Sequence, residues 1–193
     1  MSVPTAIMKR CGVRSFAGRT LLAAALLLLC AGQGAAQELK APEFELNDLE
    51  GNPVKFVELL EKGPVMINFW ATWCMPCIQE LPHLQEIYEK FKDRGVTLLA
   101  VSVDSPRSVS KVKSFVSGHN YTFTVLLDPN KDVARKFNVQ LFPYTFIVST
   151  SGDIVFKNYG YRPGDEKGIE EKLVSLLPGE PAPGKTEEGQ ESE

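Results

Sequence analysis

Apolar and polar positions along the chain follow two periods. Val65–Trp70 (Val-Met-Ile-Asn-Phe-Trp) is an apolar run behind Gly63-Pro64 and predicts a strand buried on both faces. From Met75 to about Lys92 the period lengthens. Ile78, Leu81, Leu84, Ile87, Tyr88 and Phe91 recur three or four residues apart, which predicts an amphipathic helix ended by Gly95. Val96–Val103 is a second apolar run and a second buried strand. Ser105-Pro106 reads as an N-cap followed by the first residue of a helix. That helix carries Val109, Val112, Phe115 and Val116 on one face and stops at Gly118. Thr124–Leu127 predicts a short strand and Asp128–Phe137 a short helix. Tyr144–Ser149 and Ile154–Tyr159 flank the turn Thr150-Ser151-Gly152-Asp153 and predict a hairpin. A last helix spans Ile169–Leu177, and Phe44–Phe56 predicts a hairpin ahead of the first strong strand.

The resulting order, strand-helix-strand-helix-strand-helix-strand-strand-helix, needs parallel strands with right-handed crossovers and a closing antiparallel edge. This is an α/β three-layer sandwich with a mixed central sheet. No internal repeat is present.

Composition and charge remove both ends from that fold. Residues 1–36 hold Lys9, Arg10, Arg14 and Arg19 and no acid, then eleven apolar residues from Leu21 to Ala31, then Gly34, Ala35 and Ala36. Basic, apolar and small-residue regions in that order predict a signal peptide cut near Ala36. The apolar run is short of the ~20 residues that span a bilayer. Retention as an uncleaved N-terminal anchor is the competing arrangement. Cleavage removes Cys11 and Cys30, leaving Cys74 and Cys77, and takes the net charge from −3 to −7 because four cations leave. Residues 178–193 carry five acids against one lysine. So polar a segment is expected to be a disordered acidic tail. One domain over 37–177 remains. The negative charge gives no basis for a nucleic-acid partner.

The candidate chemistry lies in Trp70-Ala71-Thr72-Trp73-Cys74-Met75-Pro76-Cys77, where the buried strand gives way to the helix. Cysteines three apart at a helix start lie within disulfide reach. The first meets unpaired N–H groups and the positive end of the helix dipole, which lowers its pKa from the free value of about 8.5. Cys74 is therefore expected to attack from the exposed helix start, and the deeper Cys77 to resolve the mixed disulfide. A purely structural disulfide would close too small a loop to stabilise much. A zinc site would need two more ligands, and with no further cysteine only His83 and His119 are on offer. No metal is assigned. His83 is expected exposed and His119 in a Gly-His-Asn turn. Trp73 is expected to shield the sulfurs and meet the substrate.

The stretch Asn68–Cys77, with Glu80, Pro82, Pro143, Thr145 and Phe146, resembles the thioredoxin superfamily, and within it the exported TlpA/ResA group of thiol–disulfide oxidoreductases. The likeness covers about residues 40–177, including extra N-terminal strands and a strand-helix inserted before Pro143. The resemblance implies a cis Phe142-Pro143 bond beside the cysteines, presenting the Phe142 backbone to an extended substrate. Tyr144 stands where the group often has Thr, and with Phe142 and Pro143 it makes up the substrate-binding set that the resemblance implies. Asn68 occupies the place of a buried, proton-accepting Asp in ordinary thioredoxins, and Asn cannot titrate. Glu80, one helical turn beyond Cys77, faces the same side, and the group implicates such a Glu in redox tuning and proton transfer. The competing reading of Glu80 is a solvated helix carboxylate. Met75 and Pro76 belong to the same tuning set.

The expected activity is dithiol–disulfide exchange with protein substrates and no bound cofactor. Resemblance favours a reductant of apocytochrome c cysteines, recharged by a membrane electron donor in a periplasm-like compartment. A disulfide-forming oxidant would share the motif. A thiol peroxidase resembles Thr-x-x-Cys, whereas Thr72 lies two residues before Cys74. A copper carrier resembles Cys-x-x-x-Cys, one residue longer than the spacing here.

Overall fold

The computed structural model describes residues 39–177; the signal peptide or anchor expected over 1–36 and the acidic tail over 178–193 lie outside the described residues. The strands are β1 (Glu45–Asp48), β2 (Pro53–Lys55), β3 (Val65–Trp70), β4 (Thr97–Ser102), β5 (Thr124–Leu127), β6 (Tyr144–Val148) and β7 (Ile154–Tyr159). The helices are α1 (Phe56–Leu60), α2 (Met75–Phe91), α3 (Val109–Gly118), α4 (Asp132–Lys136) and α5 (Asp165–Leu176). They build an α/β fold on one seven-stranded mixed sheet, in the order β2-β1-β5-β4-β3-β6-β7. β3 pairs parallel with β4 and antiparallel with β6, and β4 pairs parallel with β5.

The apolar run predicted for β3 is central, and all six of its residues are fully buried. Side chains alternate along a strand, so Val65, Ile67 and Phe69 face one side of the sheet and Met66, Asn68 and Trp70 the other. Phe69 meets Phe137 at 5.5 Å and Phe146 at 6.0 Å, and Phe44 stacks on Phe56 at 5.0 Å. These rings close α1 and α4 over the first side. On the second, Trp70 meets Phe115 of α3 at 5.5 Å, Asn68 bonds Glu80 of α2, and Lys90 of α2 pairs with Glu170 of α5 at 3.0 Å. The expected three layers are therefore present.

Several boundaries differ from the pattern reading. The helix expected over Asp128–Phe137 begins only at Asp132. Asp128 is an anchor instead: its carboxylate accepts the Asp132 N–H at 2.7 Å and the Ala134 N–H at 2.8 Å. The last helix starts at Asp165, four residues before Ile169. Its first turn bears no apolar residue to show the period, but its acids bond the entry backbone: Asp165 accepts the Arg162 N–H and Glu166 the Gly164 N–H, both at 2.9 Å. Ser105 makes no side-chain cap, and a 3-10 turn at Pro106–Ser108 precedes α3. α3 itself stops at Gly118 as expected, and the left-handed residue beyond it is Asn120, with φ 56°. The chain after the N-terminal hairpin forms α1, which the pattern had not assigned.

Candidate active site

The site stands where β3 leaves the sheet and α2 begins. Trp70 is still fully buried, and Thr72-Trp73 then carries the chain to Cys74, the N-cap of α2. Pro76 lies in the first turn, where a missing N–H costs nothing. Cys74 and Cys77 are joined as a disulfide with Cα atoms 5.3 Å apart. The Cys77 N–H donates to Cys74 Sγ at 3.3 Å, the bond an N-cap side chain accepts from the third helical residue. This N–H and the helix dipole stabilise negative charge on Cys74 rather than on Cys77.

Cys77 is wholly buried, whereas Cys74 is 6% exposed. Cys74 is thus the accessible sulfur of the pair, but it is less open than the helix start suggested. Its side chain is turned onto the helix end and held there by the disulfide. Its neighbours take the surface: Trp73 is 58% and Met75 67% exposed. Among the described residues no Lys, Arg or His forms a hydrogen bond or ion pair at either sulfur.

Glu80 is not a solvated carboxylate. It is 2% exposed, beneath the cysteine pair's helical turn. Asn68 Nδ2 donates to Glu80 Oε2 at 2.7 Å and to Thr145 Oγ1 at 2.9 Å, and Thr145 Oγ–H donates to Glu80 Oε1 at 3.1 Å. Burial pushes the Glu80 carboxyl up to about 7 despite the two hydrogen bonds that favour its charge, and the negative Asp165 adds to the rise. Thr145 is the residue that sequence reasoning left out of this cluster. Its signal was the antiparallel register, in which Asn68 lies directly across from Thr145.

The Phe142-Pro143 peptide is cis, as expected. The Phe142 ring meets Trp73 edge to face at 6.0 Å, which joins the cis-proline loop to the cysteine loop. The Tyr144 ring points to the opposite side of the sheet from Thr145 and stacks on Phe146 at 4.5 Å. Pro76, Phe142, Tyr159, Tyr161, Arg162 and Asp165 line a groove of ≈ 430 Å³ beside the helix start. His83 stacks on Tyr161 at 5.8 Å with its side chain 41% exposed, and His119 Nδ1 lies 2.8 Å from the Phe115 carbonyl.

A dithiol pair capping a helix, a cis-proline loop against it and a buried acid one turn deeper define a thioredoxin-like thiol–disulfide oxidoreductase. A profile of the AhpC/TSA family matches residues 38–157, and the chain belongs to that family. It is similar to the thiol-disulfide oxidoreductase ResA of Bacillus cereus, with 36% identity over 139 residues, 72% of this chain and 78% of that protein. The ResA of Geobacillus kaustophilus is 37% identical over 72% of this chain and 76% of its own. Among solved structures, a thiol:disulfide interchange protein from Bacteroides sp. superposes with a TM-score of 0.62 and 29% identity, covering 72% of this chain and 91% of that one. The thioredoxin domain of a thiol-disulfide oxidoreductase from Bacteroides vulgatus gives 0.61 and 28%, over 72% and 99%.

Proposed function

We propose that the protein is an exported reductant of protein disulfides, with apocytochrome c cysteines as its client class and a membrane thiol donor as its source of electrons. The single observation that carries the direction is the setting of the sulfurs. Oxidising power comes from a strongly stabilised thiolate in the reduced form. Cys74 has one N–H bond and a helix end to stabilise it, and no cation among the described residues is hydrogen-bonded to it: Lys131 sits over the Phe142 ring and Arg162 lines the groove beside Pro76. A pair so weakly stabilised gives up electrons readily. Its likeness to the ResA proteins supports the class. The basic, apolar and small-residue leader supports export, by cleavage or as an anchor. No helix of the described residues is long and apolar enough to cross a membrane.

The reaction starts from the dithiol. Cys74 thiolate attacks one sulfur of the client disulfide; that S–S bond breaks, and the other client sulfur leaves as thiolate. Cys77 gives its proton to the Glu80 carboxylate and attacks Cys74 Sγ, closing the Cys74–Cys77 disulfide and releasing the second client sulfur. Glu80 returns its proton to the departing thiolate. Two electrons pass to the client and none are left over. A carboxyl titrating near 7 suits both halves of that exchange. In this reading Phe142 and Trp73 grip the client chain beside Cys74, which the exposure of Trp73 and its contact with Phe142 support.

Cys77→Ala tests this. The variant is expected to accumulate a stalled mixed disulfide between Cys74 and a model protein disulfide, released by dithiothreitol. A variant that forms no such adduct while folded would overturn the reading.

A further inference from the structure

A second buried carboxylate holds the loop that carries Cys74. Asp104, two residues beyond β4, is 3% exposed. Its Oδ2 accepts the Thr72 N–H at 2.9 Å and the Ser102 hydroxyl at 3.0 Å, and its Oδ1 accepts the Thr72 hydroxyl at 2.7 Å. Each of these partners can donate, the pattern an ionised carboxylate satisfies. No Lys, Arg or His pairs with Asp104 among the described residues.

Register explains the meeting. β3 and β4 run parallel with Trp70 beside Ser102, and two further residues bring Thr72 beside Asp104. The same stretch is pinned at both ends by backbone: the Val103 N–H donates to the Trp70 carbonyl at 2.9 Å, and the Cys74 N–H to the Ala71 carbonyl at 3.1 Å. Asp104 supplies the anchor between them and takes both polar hydrogens of Thr72.

We propose that Asp104 is a positioning residue of the redox site, which locks the Trp70–Cys74 loop so that Cys74 caps the helix, and whose negative charge opposes ionisation of the Cys74 sulfur. The proposal rests on the redox chemistry of the pair but not on the direction of electron flow. Two residues of chain span at most ~7 Å, and the hydrogen bond and the cysteine side chain add about 3 Å each, so the carboxylate lies within roughly 13 Å of the Cys74 sulfur. At an effective dielectric of about 20 the repulsion amounts to about one pKa unit. The other charged groups around the pair, Glu80 on α2, Asp165 and Arg162 at the groove beside Pro76 and Lys131 over the Phe142 ring, are present alike in the wild type and in the Asp104 and Thr72 variants.

Two variants of the full chain separate charge from looseness. Asp104→Asn removes the charge and keeps one acceptor oxygen. Thr72→Val keeps the charge and removes a donor that compensates it. Reduced proteins are alkylated with iodoacetamide across a pH series, and Cys74 modification is followed by mass spectrometry. Equilibration with glutathione and thermal melting are measured alongside. Asp104→Asn is expected to lower the Cys74 midpoint by about one pH unit, and to shift the glutathione equilibrium toward the dithiol by up to tenfold. Thr72→Val is expected to move the midpoint upward. A folded Asp104→Asn protein with an unchanged midpoint overturns the proposal. So do shifts of the same sign in both variants, which a merely loosened loop would give. Should Asp104→Asn not fold, Thr72→Val decides alone: an upward midpoint with an unchanged melting temperature supports the charge, and an upward midpoint with a lowered melting temperature, or a downward or unchanged midpoint, refutes it. If wild-type Cys74 resists alkylation at every pH, it is the redox chemistry that fails instead.

Discussion

Replacing Glu80 with Gln is expected to stabilise the protein at alkaline pH and to leave acid stability nearly unchanged. In the folded chain the Glu80 carboxyl titrates at about 7, against an ordinary value of 4.5. Below about pH 4.5 it is protonated in both states and contributes no difference. As pH rises past 4.5 the unfolded chain releases its proton while the folded chain keeps it, so stability falls with pH. The fall ends near pH 7, once the buried group ionises too. A rise of about 2.5 units at 1.36 kcal/mol each gives about 3 kcal/mol lost across that window. Gln has no proton to lose. Its carbonyl can still accept from Asn68. Urea unfolding of the oxidised wild type and of Glu80→Gln at pH 4, 5, 6, 7, 8 and 9 measures the difference directly. The difference should grow by roughly 3 kcal/mol in favour of the variant between pH 4 and pH 8. A pH-independent difference, to within a few tenths of a kcal/mol, would show that burial does not raise this carboxyl.

Thr145→Val removes a hydrogen bond to the charged form of Glu80 and leaves Asn68 Nδ2 one acceptor fewer. It should cost about 1–3 kcal/mol at pH 8 and visibly less at pH 5, read from the same urea series. Gly63→Ala would place a methyl 2.4 Å from the Gly95 carbonyl oxygen, at φ +155°. It should lose more than about 2 kcal/mol on melting, with the thiol chemistry of the surviving folded fraction intact. Trp73→Ala removes an exposed ring that meets Phe142. It should shift stability by no more than about 0.5 kcal/mol, yet lower kcat/KM several-fold for a protein disulfide and little for a small disulfide. Equal losses on both substrates would place Trp73 in the chemistry rather than in client binding.

The strand–helix frame was legible because its two periods are strong. A six-residue apolar run and a seventeen-residue amphipathic helix leave few other ways to bury their side chains. The cysteine pair was legible for the same reason, since the junction of those two elements fixes its place at a helix start. What the sequence hid is what depends on strand pairing. Glu80 three residues past Cys77 could be put on the same side of the helix, but its burial comes from β6, which brings Thr145 across from Asn68. Asp104 meets Thr72 only through the parallel register of β3 with β4. The start of α5 escaped because its first turn is stabilised by acids rather than by an apolar stripe. The modest exposure of Cys74 depends on how the loop lays the sulfur against the helix end, a detail that no residue period carries.

The direction of electron flow is tested most directly by the reduction potential of the Cys74–Cys77 couple, equilibrated against glutathione and thioredoxin. With one N–H bond and a helix end as the support of the Cys74 thiolate, the potential should fall on the reducing side, at or below about −200 mV. A value near −120 mV, the scale of a strong oxidant, would contradict it.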